Sequence, residues 1–489
     1  MAAAIAALYL YNLGGVGLLG PDEPRYAAIG RAMAQTGDFV TPKLWGAPWF
    51  EKPPLLYWMT AAGTLAGFSP EVAARLPVVL LSLAFLFTSF ALLNHEFGFK
   101  VAAASATLLA SSAAWIAFTE LSLTDLPLAV FFSLAVLLAL PLLRPQPNLR
   151  TGRFVPVVRD SKITRHLLWR FAGIGICLAL ASLAKGLVPI ALALPFLWFL
   201  RRFWRCWWAA FVSFCVVALP WYLAVSIRNG SPFLKEFFLK HHLERLYSAA
   251  LQHVQPWYYY FPVLLLALFP WTPLLAFLVR GINWDQRRRF LGAIFIFGFV
   301  LFSISLNKLP GYLLPLIPSL FVLIGSRFER MPLAHVSRWW LLPCAVLIGT
   351  IPLLAHILPA SLSTGRFSLL AAANVSRVEL FYVAAPLLVV LLARRAWAGW
   401  LLVLCVVSGG IYLKAFAFPV LDRHVSARWY WSQIEDIHGT FCDGGMNRDW
   451  IFGISFYRGE ALKPCGTGKF DFAIHSQGRA MPTIEALRR

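Results

Sequence analysis

One early stretch of the chain, residues 20–58, concentrates side chains that could carry out acid–base chemistry. Only 13% of all residues are charged, yet this stretch holds the following: Asp22, Glu23, Arg25, Arg31, Asp38, Lys43, Glu51 and Lys52. A carboxylate can take or give a proton, while neighbouring cations can hold a phosphate. The stretch therefore predicts a phosphate-binding reactive site; an ordinary loop between two membrane spans is the alternative interpretation.

Aromatic rings accompany these charges, among them Tyr26, Trp45, Trp49, Tyr57 and Trp58. Such rings are typical of segments that lie at a membrane surface. Proline and glycine residues separate a helical pattern over residues 22–35 from a second one over residues 55–66. We therefore predict two juxtamembrane helices in this part of the chain.

Further charged residues stand where later apolar runs begin or end, and they extend the predicted site. A solvated helix start is the ordinary interpretation for Asp125, and a snorkelling side chain is the ordinary one for Lys185. The candidate catalytic acids are Asp22, Glu23 and Asp125. The candidate substrate-binding residues are Arg25, Tyr26, Lys52, Tyr57, Lys185, Arg245, Lys308 and Tyr312.

The composition is that of an integral membrane protein. Of the 489 residues, 59% are hydrophobic, and the mean hydropathy is +0.69, far above what a soluble domain needs. The apolar runs are continuous and do not alternate at period two, so they predict helices and not a barrel. We predict about thirteen spans of a ~30 Å hydrocarbon layer, at residues 3–19, 72–93, 101–118, 126–143, 169–184, 187–200, 208–226, 260–279, 290–306, 313–325, 341–358, 378–393 and 399–416.

The net charge of +21 raises the question of an acidic partner. Much of the excess lies in short connectors between the apolar runs, which argues for cytoplasmic loops under the positive-inside rule and against a nucleic-acid partner. The N-terminus is then predicted to be cytoplasmic. A first outer loop over residues 20–71 and a second over residues 227–258 face outward, together with the C-terminal tail.

The composition changes sharply after residue 416, where we expect the transmembrane domain, residues 1–416, to end. Residues 417–489 contain short aromatic runs that predict a small α/β domain. Its two cysteines, Cys442 and Cys465, are predicted to form a disulfide because the topology places them in an oxidising compartment. The chain has no GxxxxGK[ST] phosphate loop, so any energy source is in the substrate or in a gradient.

A series of motifs resembles those of the membrane glycosyltransferases of the GT-C fold. In order, they are PDEPRYA, FEKPPLLYW, the TD of LSLTDLP, LAKGL, PWYLAV before KHHLER, and KLPGYLLP. The resemblance covers about residues 1–420 and extends to bacterial transferases that move aminoarabinose from undecaprenyl phosphate to lipid A, and to protein O-mannosyltransferases. It implies an all-α polytopic protein of the bacterial inner membrane that inverts the sugar during transfer, with its active site and C-terminus in the periplasm.

The resemblance also implies individual roles. Asp22 and Asp125 match the two acidic positions of the family, Lys52 and Arg245 match the cations that face the phosphate, and Tyr312 matches the tyrosine of KLPxY. The implied partners are a polyprenyl-phosphate sugar, membrane lipids, and a glycolipid or protein acceptor.

A divalent metal is implied through Glu51 and His242, which match the metal-binding pair of the aminoarabinose enzymes. Two ligands alone make a weak site, and the sequence requires no cofactor. A lipid flippase or secondary transporter is the alternative of another class, but it should show charges at mid-membrane and matching inverted halves. A scaffold that binds headgroups would leave the clustered carboxylates without a role.

Overall fold

The computed structural model describes residues 1–144, 146–147, 154–155, 164–237, 254–279, 284–329, 338–364 and 377–487. Helices dominate this part of the chain. Their bounds are α1 Ala2–Leu10, α2 Asp22–Thr36, α3 Leu55–Leu65, α4 Pro70–Phe97, α5 Phe99–Ala110, α6 Ala113–Thr119, α7 Asp125–Ala139, α8 Arg165–Lys185, α9 Val188–Leu192, α10 Leu194–Phe199, α11 Trp207–Leu234, α12 Tyr260–Ala267, α13 Gln286–Ile304, α14 Ile317–Gly325, α15 Arg338–Gly349, α16 Leu354–Thr364, α17 Arg377–Leu392, α18 Arg395–Val425, α19 Ala427–Ser432 and α20 Arg448–Arg458.

Six helical segments in the described residues are long and apolar enough to cross a membrane, and two sharply bent pairs bring the number to at most eight. The six segments are residues 70–97, 125–143, 165–185, 201–237, 310–329 and 396–425. The bent pairs are α5 with α6, at 62°, and residues 257–267 with 272–278, at 107°. The protein is therefore a multi-pass helical membrane protein, while the count of about thirteen spans stays a prediction.

Several spans differ from the sequence prediction in length. The first span, predicted over residues 3–19, is helical only over Ala2–Leu10. A glycine-rich segment follows, and Asn12 adopts a left-handed backbone with φ of 54°, which a helix does not allow. At the other end, α18 continues to Val425 and so crosses the expected domain boundary at residue 416.

The two helices predicted in the first outer loop are present as α2 and α3. Helix α2 ends at Gly37, which has a φ of 69° and donates its N–H to the carbonyl of Met33, as a helix C-cap does. Between the helices, strands β1 (Lys43–Leu44) and β2 (Ala47–Pro48) form a short antiparallel hairpin. This arrangement brings the charged residues at the start of α2 back towards those that precede α3.

Besides the β1–β2 hairpin, the described residues form a two-stranded sheet and a four-stranded mixed sheet. Strands β3 (Gln146–Pro147) and β4 (Phe154–Val155) form a separate antiparallel pair earlier in the chain. The C-terminal strands are β5 Phe441–Asp443, β6 Lys463–Pro464, β7 Phe472–His475 and β8 Thr483–Ala486, in the order β6-β5-β7-β8. A disulfide joins Cys442 of β5 to Cys465, the pair expected from the sequence. Helix α20 packs its apolar face, including Trp450 and Ile454, against buried residues of this four-stranded sheet, among them Phe441 and Ile474.

Candidate functional site

The first cluster of charges forms around Arg25, in the first turn of α2. Its guanidinium is buried and pairs with the carboxylates of Asp22 and, at 3.2 Å, Glu51. Its Nε also donates to the carbonyl of Pro21 at 2.9 Å. Burial lowers the pKa of Arg25, but Glu51 and Asp22 outweigh that effect, so the side chain stays charged.

Glu51 connects Arg25 to a second cation. Its Oε1 lies 3.0 Å from Nζ of Lys52, whose side chain is 9% exposed. Asp22, Arg25, Glu51 and Lys52 therefore form one chain of alternating charges. Asp22 stands at the end of this chain with 40% of its side chain exposed, so it is the acid in the chain that a substrate can reach most easily.

Tyrosine rings line the chain of charges on its buried side. The rings of Tyr26 and Tyr57 lie 5.8 Å apart, and both side chains are almost fully buried. Burial raises the pKa of each phenol, with Asp22 and Glu51 adding to the effect, so both keep their protons at neutral pH. The hydroxyl of Tyr57 is buried and has no hydrogen-bond partner among the described residues.

The second cluster joins the start of α7 to the end of α8. Asp125 accepts a hydrogen bond of 2.5 Å from Lys185, and the ammonium of Lys185 lies 4.7 Å from the ring of Tyr312. Gly311 lies directly beside Asp125, since a Cβ at that position would stand 2.3 Å from the carboxylate oxygen Oδ1. Glycine is thus required where the KLPGY segment meets Asp125.

Glu23 connects the two clusters structurally. Its carboxylate accepts hydrogen bonds from Arg75, from the N–H of Leu19 at 2.8 Å and from the N–H of Ser122 at 3.0 Å. Ser122 lies three residues before Asp125, so the start of α2 and the start of α7 are held at the same end of the helices. Glu23 is 0% exposed and its oxygens are occupied. The expectation that Glu23 is catalytic therefore does not fit its surroundings, because a buried carboxylate with these partners cannot reach a substrate.

The side chain of Lys308 also makes contacts within the protein that stabilise its structure. Its ammonium donates to the carbonyls of Gln255 at 2.9 Å and Ser305 at 2.5 Å, and only 4% of the residue is exposed. Burial lowers the pKa of Lys308. These contacts hold the segment before α12 against the loop that precedes Pro310, whereas the sequence suggested direct contact with a substrate.

The proposed metal pair cannot be assembled from the described residues. His242 lies outside them, as does Arg245. Glu51 is neutralised by Arg25 and Lys52, which is a poor environment for a divalent cation. No group of three candidate metal-ligating side chains occurs in the described part of the chain. The metal pair of Glu51 and His242 therefore stays a prediction.

Two residues of this region were missed by the sequence reasoning. Arg75 lies in the predicted span 72–93, and a lone arginine within an apolar run is a signal for a buried ionic contact. Phe452 of α20 places its ring 4.8 Å from the guanidinium carbon of Arg25. No local pattern in the sequence connects Phe452 to Arg25, because more than four hundred residues separate them.

Sequence comparison relates about two thirds of the chain to known proteins. The family described as dolichyl-phosphate-mannose-protein mannosyltransferase matches residues 1–231. The undecaprenyl phosphate-alpha-4-amino-4-deoxy-L-arabinose arabinosyl transferase of Pseudomonas aeruginosa (strain UCBPP-PA14) is 30% identical over 345 residues, which cover 68% of this chain and 60% of that protein. The protein of the same name from Photorhabdus laumondii is 28% identical over 341 residues, covering 67% and 58%. The chain thus spans about three fifths of the length of these curated relatives.

A solved structure extends the likeness over nearly the whole chain. The crystal structure of ArnT from Cupriavidus metallidurans bound to undecaprenyl phosphate has a TM-score of 0.72 and 26% identity, and the match covers 94% of this chain and 84% of that one. The apo structure of the same protein gives a TM-score of 0.69. The agreement of the sequence motifs, the family match and the fold identifies the chain as a GT-C-fold membrane protein that is similar to the bacterial aminoarabinose transferases.

Proposed function

We propose that this chain is an inverting glycosyltransferase that moves a sugar from a polyprenyl phosphate to an acceptor at the outer face of a bacterial inner membrane. The observation that supports it most is the pair of carboxylate–cation clusters, Asp22–Arg25–Glu51–Lys52 and Asp125–Lys185, held at one end of the helices. The same fold occurs in a protein whose crystal structure contains undecaprenyl phosphate.

Cations at this end of the helices are placed to stabilise the donor phosphate, which carries negative charge when it leaves. Lys52 and Arg245 are assigned to the donor phosphate, and Lys185 is assigned to the same role. Fixed cations stabilise charge that grows on a leaving group in the transition state, and they do so most strongly where water is excluded. The low exposure of Lys52 and Lys185, 9% for each side chain, supports such a role.

Asp22 is assigned to the acceptor side. As the bond between the anomeric carbon and the phosphate oxygen breaks, polyprenyl phosphate leaves with the electron pair, and an acceptor oxygen forms the new bond on the opposite face. Where the acceptor is a hydroxyl, Asp22 takes its proton as general base. Where the acceptor is an ionised phosphate, Asp22 orients it or stabilises the oxocarbenium-like sugar. Asp125 orients Lys185, and no step is routed through a metal.

The membrane arrangement follows from the charge pattern of the loops. We infer about thirteen spans, a cytoplasmic N-terminus, and a periplasmic site and C-terminal domain. A flippase would carry its charges along the membrane interior, whereas the candidate acids here lie where α2 and α7 begin.

The proposed donor sugar is aminoarabinose and the proposed acceptor is lipid A or another envelope glycolipid, by analogy with the named relatives. A second candidate is transfer to a protein hydroxyl, which the match of residues 1–231 to the protein mannosyltransferase family favours. The two candidates share the donor chemistry and differ only in the acceptor.

Reconstitution tests the proposal directly. The purified chain in lipid nanodiscs is incubated with undecaprenyl phosphate-aminoarabinose and lipid A, or with polyprenyl phosphate-mannose and a serine-rich peptide, and the products are followed by mass spectrometry. We expect equal amounts of polyprenyl phosphate and of a glycosylated acceptor with inverted anomeric configuration. Movement of uncleaved donor across the membrane of sealed proteoliposomes, without any transfer in nanodiscs, would instead favour a flippase.

A further inference from the structure

Phe452 brings an aromatic ring of the C-terminal region to the candidate site. Phe452, on α20, lies 4.8 Å from the guanidinium carbon of Arg25, and Trp49 lies 5.3 Å from the same atom. Guanidinium groups stack on aromatic faces because the charge is delocalised and weakly hydrated. The ring of Tyr26 lies 5.9 Å from the same guanidinium carbon, so rings from the first loop and from the far end of the chain surround the cation that binds Asp22.

Phe452 is itself held by the hairpin of the first loop. The rings of Phe452 and Trp45 are stacked, with centroids 5.9 Å apart and an angle of 10° between their planes. Trp45 and Gly46 form the turn between β1 and β2, and Trp45 adopts a φ of 48°, a left-handed backbone that bulky residues rarely adopt. The turn thus places an indole on the face of Phe452.

Helix α20 is fixed on the first loop by contacts outside the candidate site. Arg31 donates to the carbonyl of Phe456 at 2.9 Å, and its guanidinium lies 4.2 Å from the ring of Phe456. The hydroxyl of Tyr457 donates to Glu71 at 2.8 Å. The approach of Phe452 to Arg25 is therefore set by a docked helix and not by a free side chain.

We propose that Phe452 is a positioning residue for transfer: it fixes the plane of the Arg25 guanidinium, which in turn fixes the positions of the Asp22 and Glu51 carboxylates. Arg25 binds Asp22 through Nη2 and Glu51 through Nη1, so a rotation of its plane disturbs both bonds together. The inference rests on the proposed function, since the position of Asp22 matters only if Asp22 acts in transfer.

The chain provides a matched control on the same two helices. Phe456 stacks on Arg31 of α2 as Phe452 stacks on Arg25, but Arg31 contacts none of the candidate acids in the described structure. Phe452→Leu and Phe456→Leu each remove one aromatic face and keep an apolar side chain. The two variants therefore weaken the same kind of contact between the same helices, one at the site and one away from it.

Steady-state transfer is measured on the full chain in nanodiscs with undecaprenyl phosphate-aminoarabinose and lipid A, together with thermal unfolding. We expect Phe452→Leu to lower kcat about tenfold, the range of one buried cation–aromatic contact, with a smaller change in donor KM. Phe452→Tyr, which keeps the aromatic face, should restore kcat to within about twofold of the original value. Phe456→Leu should keep kcat and change only thermal stability.

The outcomes are distinct. A normal kcat for Phe452→Leu, or an equal loss in Phe452→Leu and Phe456→Leu, would overturn the positioning role, because docking of α20 alone would then explain the contact. If Phe452→Leu does not fold, Phe452→Met replaces it, with the same expected loss and the same contradicting results. Failure of the unmodified chain to transfer sugar from any polyprenyl-phosphate donor would count against the proposed function as well.

Discussion

Glu23 and Arg75 form a buried ion pair in which Nε and Nη2 of the arginine each donate to one carboxylate oxygen at 2.8 Å. The remaining N–H groups of Arg75 donate to the carbonyls of Leu13, Val16 and Gly17. The side chain of Arg75 thus provides hydrogen bonds to backbone carbonyls of the irregular segment between α1 and α2, and it fixes the start of α2 through Glu23. The position of Asp22 depends on this neighbour.

Breaking that pair should lower the stability of the folded protein. Glu23→Gln leaves a buried guanidinium without its counter-charge, and we expect a loss of about 3–5 kcal/mol in the free energy of unfolding. Arg75→Met should cost a similar amount, and the double variant should lose less than the sum of both. Thermal unfolding in detergent measures all three. A Glu23→Gln protein of normal stability and low turnover would restore Glu23 as a catalytic candidate.

Asp38 should make the first loop sensitive to acid. Burial raises the pKa of Asp38, but hydrogen bonds from Lys43 and from the N–H groups of Thr41 and Val40, with Arg228 nearby, outweigh it and leave the pKa below its ordinary value. A depressed pKa means stability that is present above the unfolded value of about 3.9 and is lost as the pH falls through the folded value.

The matching experiment compares the original chain with Asp38→Asn over a pH series. At pH 7 the original chain should resist proteolysis of the first loop better than the variant does. The difference should shrink as the pH falls from about 4 through the lower pKa that Asp38 has in the folded chain, because Asp38 is then protonated and uncharged like asparagine. A difference that does not depend on pH would show that the charge of Asp38 is not what stabilises the loop.

The sequence predicted the parts of this structure that local chemistry determines. Helix α2 was expected because Asp22 and Glu23 suit a first turn and Gly37 suits a C-cap, and the pairing of Cys442 with Cys465 followed from their isolation in the tail. The sequence could not show which residues far apart along the chain contact each other. The same residue types serve in a site and in a scaffold, so the sequence does not distinguish Glu23 from Asp22. The contacts of Glu23 with Arg75 and Ser122 do distinguish them.

The contact between Arg25 and Phe452 shows the same limit. An aromatic residue on an amphipathic helix ordinarily packs in a hydrophobic core. Which residue Phe452 contacts depends on how α20 docks on α2, and the sequence does not show that docking. The bent spans are a further case, since the apolar runs at 101–118 and 260–279 are continuous in sequence but bend by 62° and 107° in the structure. Hydropathy measures the tendency to leave water and does not report the direction of a helix.

Topology can be checked by labelling. In a background where the cysteines outside the disulfide are replaced, a cysteine at the exposed Thr36 should react with an impermeant thiol reagent added to cells with a permeable outer membrane. A cysteine at Thr151, in the basic connector outside the described residues, should react only after lysis. Reversed labelling would overturn the assignment of the site to the outer face.

Lys52 should contribute to donor binding. Lys52→Ala removes a cation of low exposure, so we expect weaker binding of undecaprenyl phosphate as well as lower turnover. Lys43→Ala is the matched control, because Lys43 lies in the same loop but pairs with Asp38 at 3.0 Å, away from the charge chain. Equal effects of both variants in a direct binding assay would indicate that only the charge of the loop matters.

The most direct test of the account is the turnover of Asp22→Asn with a polyprenyl-phosphate sugar donor. The substitution keeps the shape of the side chain, which is 40% exposed, so stability and donor binding should stay close to those of the original chain. Turnover should fall by about 10²–10⁴-fold, the range expected when a general acid or base is removed. Near-normal transfer by purified Asp22→Asn would contradict the account and make Asp125 the next candidate.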